Sequence, residues 1–130
     1  MRNNSNLPQP TDSELEILQI LWEEGPNTVR FINEKLNDRQ EKEIGYTTTL
    51  KLMQIMAEKK LLSRNTETRT HVYKAEAVQD DTQKALLKKF VDATFRGSAT
   101  NLVMQALGNH ETSQEELDEI KALIEKIEKR

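Results

Sequence analysis

The sequence predicts a mainly α-helical protein with one small β-hairpin, and two patterns lead to that fold class. Apolar residues recur at helical spacing in three N-terminal and three C-terminal segments of the 130-residue chain. Between them lies a stretch rich in Thr, Val and Tyr, which is typical of two strands joined by a turn. Three helices followed by a hairpin is the order of a winged helix-turn-helix. We therefore expect a flexible arm at residues 1–9, a winged helix at residues 10–78 and a helical domain at residues 79–130.

The first helix is predicted in TDSELEILQILWEEG, residues 11–25. Thr11 and Glu14 have the spacing of a capping box, in which each side chain satisfies a backbone N–H of the first turn. The apolar stripe is expected to be Leu15, Leu18, Leu21 and Trp22, with Ile17 and Ile20 at its edge. Gly25 and Pro26 then end the helix.

A short second helix is predicted in NTVRFINEKLN, residues 27–37, with Asn27 or Thr28 as its cap. Its inward-facing residues would be Val29, Ile32 and Leu36. The short strand that winged helices often place between the first two helices is not recognisable in this sequence. The polar run NDRQEKE after the helix is predicted to be a loop.

The third helix is predicted to begin after Gly45 and opens with three threonines, which are poor helix formers. Thr49, Leu52, Met53 and Met56 fall on one face and are expected to point inward. The outward face would then carry Thr47, Thr48, Leu50, Lys51 and Gln54. Short hydroxyl side chains at the start of a helix suit close contact with phosphates or base edges. The simpler interpretation of the threonines is an ordinary helix start.

The hairpin is predicted in LSRNTETRTHVYKAE, with its turn near Glu67 and Thr68. From residue 44 to residue 74 there are six Lys or Arg residues against two Glu, although the whole chain carries a net charge of −3. A basic stripe on an acidic protein indicates nucleic acid more strongly than the total charge does. We expect Arg64, Arg69 and Lys74 to lie over a DNA backbone or to reach a minor groove.

The C-terminal segment is predicted to form three short helices that bury too little surface to be stable alone. We expect their apolar stripes to pack against the same stripes of a second subunit. The residues predicted to form this interface are Leu86, Phe90, Leu102, Val103, Ala106, Leu107, Leu117, Ile120, Ile124 and Ile127. The alternative is that these helices fold back on the N-terminal domain of their own chain.

Several classes of protein are disfavoured by composition. The chain has no cysteine, which excludes disulfides, thiolate metal sites and cysteine nucleophiles. His71 and His110 stand apart, and no metal-binding, phosphate-loop or catalytic-triad motif is present. We therefore expect no enzymatic activity, no metal and no cofactor. No apolar run is long enough to span a bilayer and no signal-peptide core is visible, so we expect a cytoplasmic protein without membrane insertion.

These motifs resemble the penicillinase-repressor family, which has copper-responsive repressors among its relatives. The resemblance covers residues 10–126 and is carried by five patterns. They are T-x-x-E-x-x-I-L-x-x-L-W in the first helix, Y-T-T at the start of the third, H-V-Y in the second wing strand, F-R-G-S-x-x-x-L-V and L-D-E-I-K-A-L-I. The resemblance implies a homodimeric winged-helix repressor that binds double-stranded DNA at a dyad operator.

The resemblance also implies a signal. In the drug-resistance members, a membrane sensor metalloprotease triggers cleavage of an Asn-Phe bond in the C-terminal domain, which breaks the dimer and releases the DNA. Ungapped alignment places Gln105 and Ala106 at that bond, and Asn101 and Leu102 form the nearest Asn-apolar pair. Neither pair is Asn-Phe. The copper-responsive relatives use C-terminal cysteines, which this chain lacks.

Three features depart from the family pattern. Ile55 stands where many members have Arg, Lys60 replaces a common Gly before the wing, and the wing tip NTETR includes Glu67. These departures weaken phosphate contact. With the net negative charge, they favour an alternative function in which the winged helix is a protein-interaction module without DNA readout. The exposed threonines and the basic hairpin favour DNA.

Overall fold

The computed structural model describes residues 8–39, 43–67, 69–109 and 111–130. Residues 1–7 of the predicted arm, residues 40–42 of the predicted loop, Thr68 of the predicted turn and His110 lie outside the described residues. Two compact units form, Met1–Leu87 and Lys88–Arg130, and the division falls within a helix. The elements are α1 Asp12–Glu24, β1 Asn27–Thr28, α2 Val29–Arg39, α3 Tyr46–Glu58, β2 Leu62–Asn65, β3 Val72–Ala75, α4 Gln79–Phe95, α5 Ala99–Asn109 and α6 Gln114–Glu128. The mainly helical fold class with a small antiparallel sheet is confirmed.

The sheet of the first unit has three antiparallel strands in the order β1-β3-β2. The hairpin of β2 and β3 pairs Arg64 with Tyr73, as expected for a wing. The strand β1, which the sequence did not reveal, pairs Thr28 with Val72. A strand of two residues is too short to show an alternating pattern, and only its partner strand defines it. β1 therefore ties the start of α2 directly to the wing.

Capping begins and ends α1 as the sequence predicts. The Thr11 N–H donates to Glu14 Oε1 at 2.9 Å, and the Glu14 N–H donates to Thr11 Oγ1 at 3.2 Å. At the other end, Gly25 has φ 83° and donates its N–H to the Leu21 carbonyl at 2.8 Å. A side chain would be strained at this φ, which explains the glycine.

The buried face of α1 is wider than the predicted stripe. Ile17 and Ile20, expected at the edge, are fully buried, whereas Leu15 and Trp22 are half-buried. This difference arises from tertiary packing, because α1 packs against α2, α3 and β3 together. The core of the first unit consists of Ile17, Leu18, Ile20, Leu21, Val29, Ile32, Leu36, Met53, Met56, Leu61, Leu62, Tyr73 and Ala77.

The turn from α3 into β2 is a Schellman motif. Leu61 N–H donates to the Met56 carbonyl at 3.0 Å, and Lys60 N–H donates to the Ala57 carbonyl at 3.1 Å. Lys60 takes the left-handed position of that motif, with φ 68°. Glycine is the residue that this position favours, because a Cβ costs about 1 kcal/mol or more there.

The second unit is far less buried. Val91 in α4 is buried, while α5 and α6 contain no buried residue. Ser113 caps α6 by accepting the Glu116 N–H at 3.1 Å. The Glu116 carboxylate accepts from the Ser113 hydroxyl at 3.3 Å. In the described part of the chain, no helix is both long enough and apolar enough to cross a membrane.

Candidate nucleic-acid interface

The first turn of α3 presents an open helix N-terminus to solvent. Gly45 is its N-cap and supplies no side-chain hydrogen bond, so the first backbone N–H groups keep their donor capacity. Thr47 and Thr48 are exposed on this turn, and Thr49 is buried, as the sequence predicts. Free N–H groups beside exposed hydroxyls suit an anion such as a phosphate.

Two asparagines of α2 hold this turn in place. Asn37 Oδ1 accepts the Ile44 N–H at 2.7 Å, and Asn37 Nδ2 donates to the Ile44 carbonyl at 3.1 Å. Asn33 Nδ2 donates to the same carbonyl at 3.0 Å and to Thr49 Oγ1 at 2.8 Å. These bonds satisfy both backbone groups of the residue that leads into α3. Sequence reasoning missed them, although two amides at i and i+4 on a half-buried face were a readable signal.

The outward face of α3 follows the prediction with one correction. Lys51 and Gln54 are exposed, and within the described residues Lys51 makes no ion pair. Leu50, expected to face outward, is half-buried and packs against the core. Leu52, expected to face inward, is half-buried as well. Because α3 packs against the core on one side only, residues at the border between its buried and exposed faces are half-buried. Both leucines lie at this border.

An open depression lies between the starts of α2 and α3 and the wing. Its charged and polar lining includes Arg30, Tyr46, Gln54, Arg64, Arg69 and His71. No Asp or Glu is among the described residues that line it. The structure therefore brings two predicted wing arginines to the same place as the predicted Gln54. Thr47, Thr48 and Lys51 lie outside this depression, on the exposed surface of α3.

Arg30 and Tyr46 belong to this surface and were not predicted from the sequence. The Arg30 guanidinium carbon lies 5.8 Å from the centre of the Tyr46 ring, within cation–π distance. Arg30 sits in the first turn of α2, where Thr28 Oγ1 accepts the Phe31 N–H at 3.2 Å. The Thr28 cap marks the start of α2 in the sequence and so places Arg30 in the first turn. The contact of Arg30 with Tyr46, however, depends on tertiary structure.

Lys74 lies on the other face of the wing. It pairs in register with Ser63, whereas Arg64 pairs with Tyr73, and cross-strand partners share a face. Its Nζ is 3.6 Å from Glu76 Oε1 in an exposed ion pair. The structure therefore separates Lys74 from the two wing arginines.

Lys59, a second cation of the basic stripe, also forms an ion pair. Its Nζ lies 2.8 Å from Oε2 of Glu14, whose side chain is 1% exposed. Burial alone would raise the pKa of Glu14, but the Lys59 ammonium and the hydrogen bonds with Thr11 outweigh it, so the pKa lies below its ordinary value. Lys59 is thus a structural residue that joins the end of α3 to the start of α1. The cations left for a ligand are concentrated on α3, the wing and Arg30.

The residues predicted to form a dimer interface lie on α4, α5 and α6. Phe90, Val103, Leu107, Ile124 and Ile127 are between 41% and 51% exposed. Ala106 is exposed, and the half-buried members are Leu86, Leu102, Leu117 and Ile120. Leu87, Met104 and Leu123, which were not predicted, are also more than half exposed.

The residues predicted for cleavage all lie within the helix α5. Asn101, Gln105 and Ala106 are exposed and Leu102 is half-buried. Asn109 Nδ2 donates to Gln105 Oε1 at 3.1 Å, one turn apart on the same face. The helix around a peptide bond must unwind before a protease can bind that bond. A helix with no buried residue unwinds at a low cost in free energy.

Known proteins resemble this chain over most of its length. The family model described as penicillinase repressor matches residues 10–126. The chain belongs to the penicillinase repressor family. A penicillinase repressor from Bacillus licheniformis is 25% identical over 126 residues, covering 95% of each chain. One from Staphylococcus aureus is 21% identical over 118 residues, covering 91% of this chain and 92% of the relative.

Membership in the penicillinase repressor family supports a transcriptional repressor that binds DNA. It also confirms the resemblance drawn from the sequence motifs. The family is one of repressors and not of enzymes, which agrees with the predicted absence of catalysis. In the described residues no cluster of His, Asp or Glu is arranged to hold a metal ion.

Proposed function

We propose that this chain is a cytoplasmic, homodimeric repressor that reads a dyad operator with α3 and the wing. The observation that carries the proposal is the start of α3. Thr47, Thr48 and Lys51 are exposed there, and the Asn33 and Asn37 amides hold the turn rigidly against α2. A rigid helix start with free N–H groups, hydroxyls and a cation fits the major groove, N-terminus first.

Lys51→Ala tests the reading helix. We expect affinity for the preferred duplex to fall by about 1–3 kcal/mol if Lys51 contacts a base, and the salt slope to fall by about one if it contacts a phosphate. Binding is measured by fluorescence anisotropy on a duplex selected from a random library, at several salt concentrations. Lys84→Ala, which removes an exposed lysine of α4, is the matched control.

Three outcomes are informative. Equal affinities for wild type and Lys51→Ala, with intact circular dichroism, remove Lys51 from the interface. Equal losses in Lys51→Ala and Lys84→Ala show an effect of total charge only. If the wild type binds no duplex even at low salt, the alternative of a protein-interaction module takes the place of the repressor.

The second part of the proposal concerns the C-terminal helices. α5 and α6 bury no residue within the chain, yet they carry apolar side chains at helical spacing. Such helices gain stability by packing against another copy, and a two-fold interface places the same stripe on both sides. Two linked winged helices would then bind the two half-sites of one operator.

Release follows from the same arrangement. We propose that a signal which cuts or loosens α5, as a sensor metalloprotease system would do, separates the subunits and lowers operator affinity. A site-specific protease sequence inserted between Gln105 and Ala106 tests this, with the same sequence appended after Arg130 as control. Cleavage in α5 should lower affinity by roughly 10²–10⁴, the usual gain from linking two modules. Unchanged affinity after complete cutting would contradict this release route.

A further inference from the structure

The depression beside α3 concentrates positive charge on a protein whose net charge is −3. Three arginines line it from three separate segments: Arg30 from α2, Arg64 from β2 and Arg69 from the loop of the wing. None of the three forms an ion pair within the described residues. Converging cations without carboxylate partners repel one another, so this arrangement is stabilised by an anion.

Arg30 is held over the depression from two sides. The Tyr46 ring lies 5.8 Å from its guanidinium carbon and is 46% exposed, so the ring is a platform on the surface. The backbone of α2 is fixed next to the wing because Thr28 pairs with Val72. A guanidinium that lies over a ring can keep its planar edge of N–H groups for a bidentate contact. Arg30 also lies in the first turn of α2, where the helix dipole adds to its charge.

We propose that Arg30, oriented by Tyr46, binds a backbone phosphate of the DNA next to the base pairs that α3 reads. This inference rests on the proposed function. In a helix-turn-helix, the helix before the reading helix crosses the DNA backbone, and α2 is that helix here. Arg64 and Arg69 contact the same strand from the wing side of the depression. Phosphate contacts position the protein without reading sequence, so Arg30 sets affinity and register and not base preference.

The test compares the salt dependence of binding in Arg30→Ala and wild type. Each phosphate contact contributes about 0.9 to the slope of log affinity against log salt. Arg30→Ala should therefore reduce the slope by about 0.9 for each bound subunit. Between about 50 and about 200 mM salt, the fold-loss of affinity should be about 3.5-fold smaller per subunit than in wild type. The reduction should be the same on a selected duplex and on a duplex of random sequence.

Lys35→Ala is the matched control. Lys35 is on the same helix, carries the same charge and lies 5.5 Å from the centre of an aromatic ring, that of Phe31. It does not line the depression. Its removal should leave the slope within error of wild type. Arg30→Lys keeps the charge and loses the planar fork, so its slope should stay near wild type while its affinity falls at every salt concentration.

The outcomes separate this inference from the repressor itself. If the wild type binds no duplex, both the proposed repressor function and the Arg30 phosphate contact are wrong. If the wild type binds and Arg30→Ala matches Lys35→Ala, DNA binding stands and the phosphate contact is wrong. If Arg30→Ala keeps the slope but loses preference at one base pair, Arg30 reads a base and the inference is overturned. Tyr46→Ala tests whether the ring orients Arg30. We expect it to lower affinity at every salt concentration, whereas wild-type affinity would show that the ring does not orient Arg30.

Discussion

The two compact units differ in where their apolar side chains lie. In the first unit, three helices and the sheet enclose a common core, and Ile17, Leu18 and Ile20 are fully buried. In the second unit, α5 and α6 have no buried residue, although apolar residues recur along both. Burying a Leu or Ile side chain contributes roughly 1.5–3 kcal/mol. The first unit therefore obtains stability from a core within its own chain, whereas α5 and α6 contribute no buried side chain of that kind.

Polar groups show the same contrast. The first unit contains a buried carboxylate, Glu14, and the amides of Asn33 and Asn37, all of them hydrogen-bonded. In the second unit, the polar contacts are exposed side-chain pairs such as Lys88 with Asp92. Buried polar bonds fix one geometry, whereas exposed pairs contribute little. The unit that contains α3, the proposed reading helix, is thus the one with buried polar hydrogen bonds.

The largest effect is expected from a charge placed in the proposed dimer interface of the second unit. Ile120→Asp places a charge in the apolar stripe of α6, and an unpaired charge in an apolar interface costs several kcal/mol. The dimer should split, and affinity for the full operator should fall by roughly 10²–10⁴. Sedimentation velocity and anisotropy measure the two effects.

Ala122→Asp is the control for this prediction, because Ala122 is exposed on the side of α6 away from Ile120. It introduces the same charge and should leave the dimer intact. An Ile120→Asp protein that still sediments as a dimer and holds the full operator would place the C-terminal helices against their own chain.

The next effect is confined to the first unit. Lys59→Met keeps the aliphatic packing of the side chain but leaves the Glu14 carboxylate, 1% exposed, without its cation. We expect the free energy of unfolding to fall by about 1–3 kcal/mol. Urea unfolding followed by the fluorescence of Trp22, the single tryptophan, reports this unit. Arg39→Met, which removes an exposed pair with Glu23, should change it by less than about 0.5 kcal/mol.

The same pair predicts a pH dependence. Since the pKa of Glu14 is lowered in the fold, its contribution is fully present above its unfolded pKa, about 4.3, and is lost as pH falls through the folded pKa. The difference in unfolding free energy between wild type and Glu14→Gln should therefore be constant at neutral pH and shrink as the pH falls below about 4.3 and through the folded pKa. In the Lys59→Met background most of that change should disappear. An equal pH dependence in both backgrounds would mean that Lys59 does not lower this pKa.

A smaller loss is expected at the turn before α3. Asn37→Ala removes both bonds to the Ile44 backbone and should lower the unfolding free energy by about 1–2 kcal/mol. Hydrogen exchange at the Ile44 amide should accelerate, because that N–H loses its acceptor. Asp38→Ala, at an exposed neighbour of similar helix propensity, is the control. Equal stability of the two variants would show that the amide bonds do not hold α3.

The smallest expected effect is a gain. Lys60→Gly relieves a side chain held at φ 68° and should raise the unfolding free energy of the first unit by about 0.5–1 kcal/mol, after the entropy that glycine adds to the unfolded chain. Arg96, in the second unit, has φ 50°. Arg96→Gly should leave the Trp22 transition unchanged, since that unit does not share the core. A loss of stability in Lys60→Gly would show that its side chain makes a stabilising contact.

Local patterns in the sequence determined much of this protein. The capping residues Thr11 and Ser113, the glycine at position 25 and the inward-facing Thr49, Met53 and Met56 all depend on neighbours within one or two turns. Such signals are readable because the interacting groups are close along the chain. The family motifs belong to the same class of information, and the family match confirms them.

Tertiary structure decided what depends on residues far apart. Ile17 and Ile20 became the centre of the core because α1 is covered on several sides, and no helical period shows how many neighbours a helix has. β1 exists only through its pairing with β3. Lys59 is one of the six cations of the basic stretch, and only the packing of α3 on α1 pairs it with Glu14. Arg30 contacts Tyr46 through the packing of α2 on α3. Long-range contacts of this kind depend on the arrangement of whole elements, so a residue's own neighbours in sequence do not encode them.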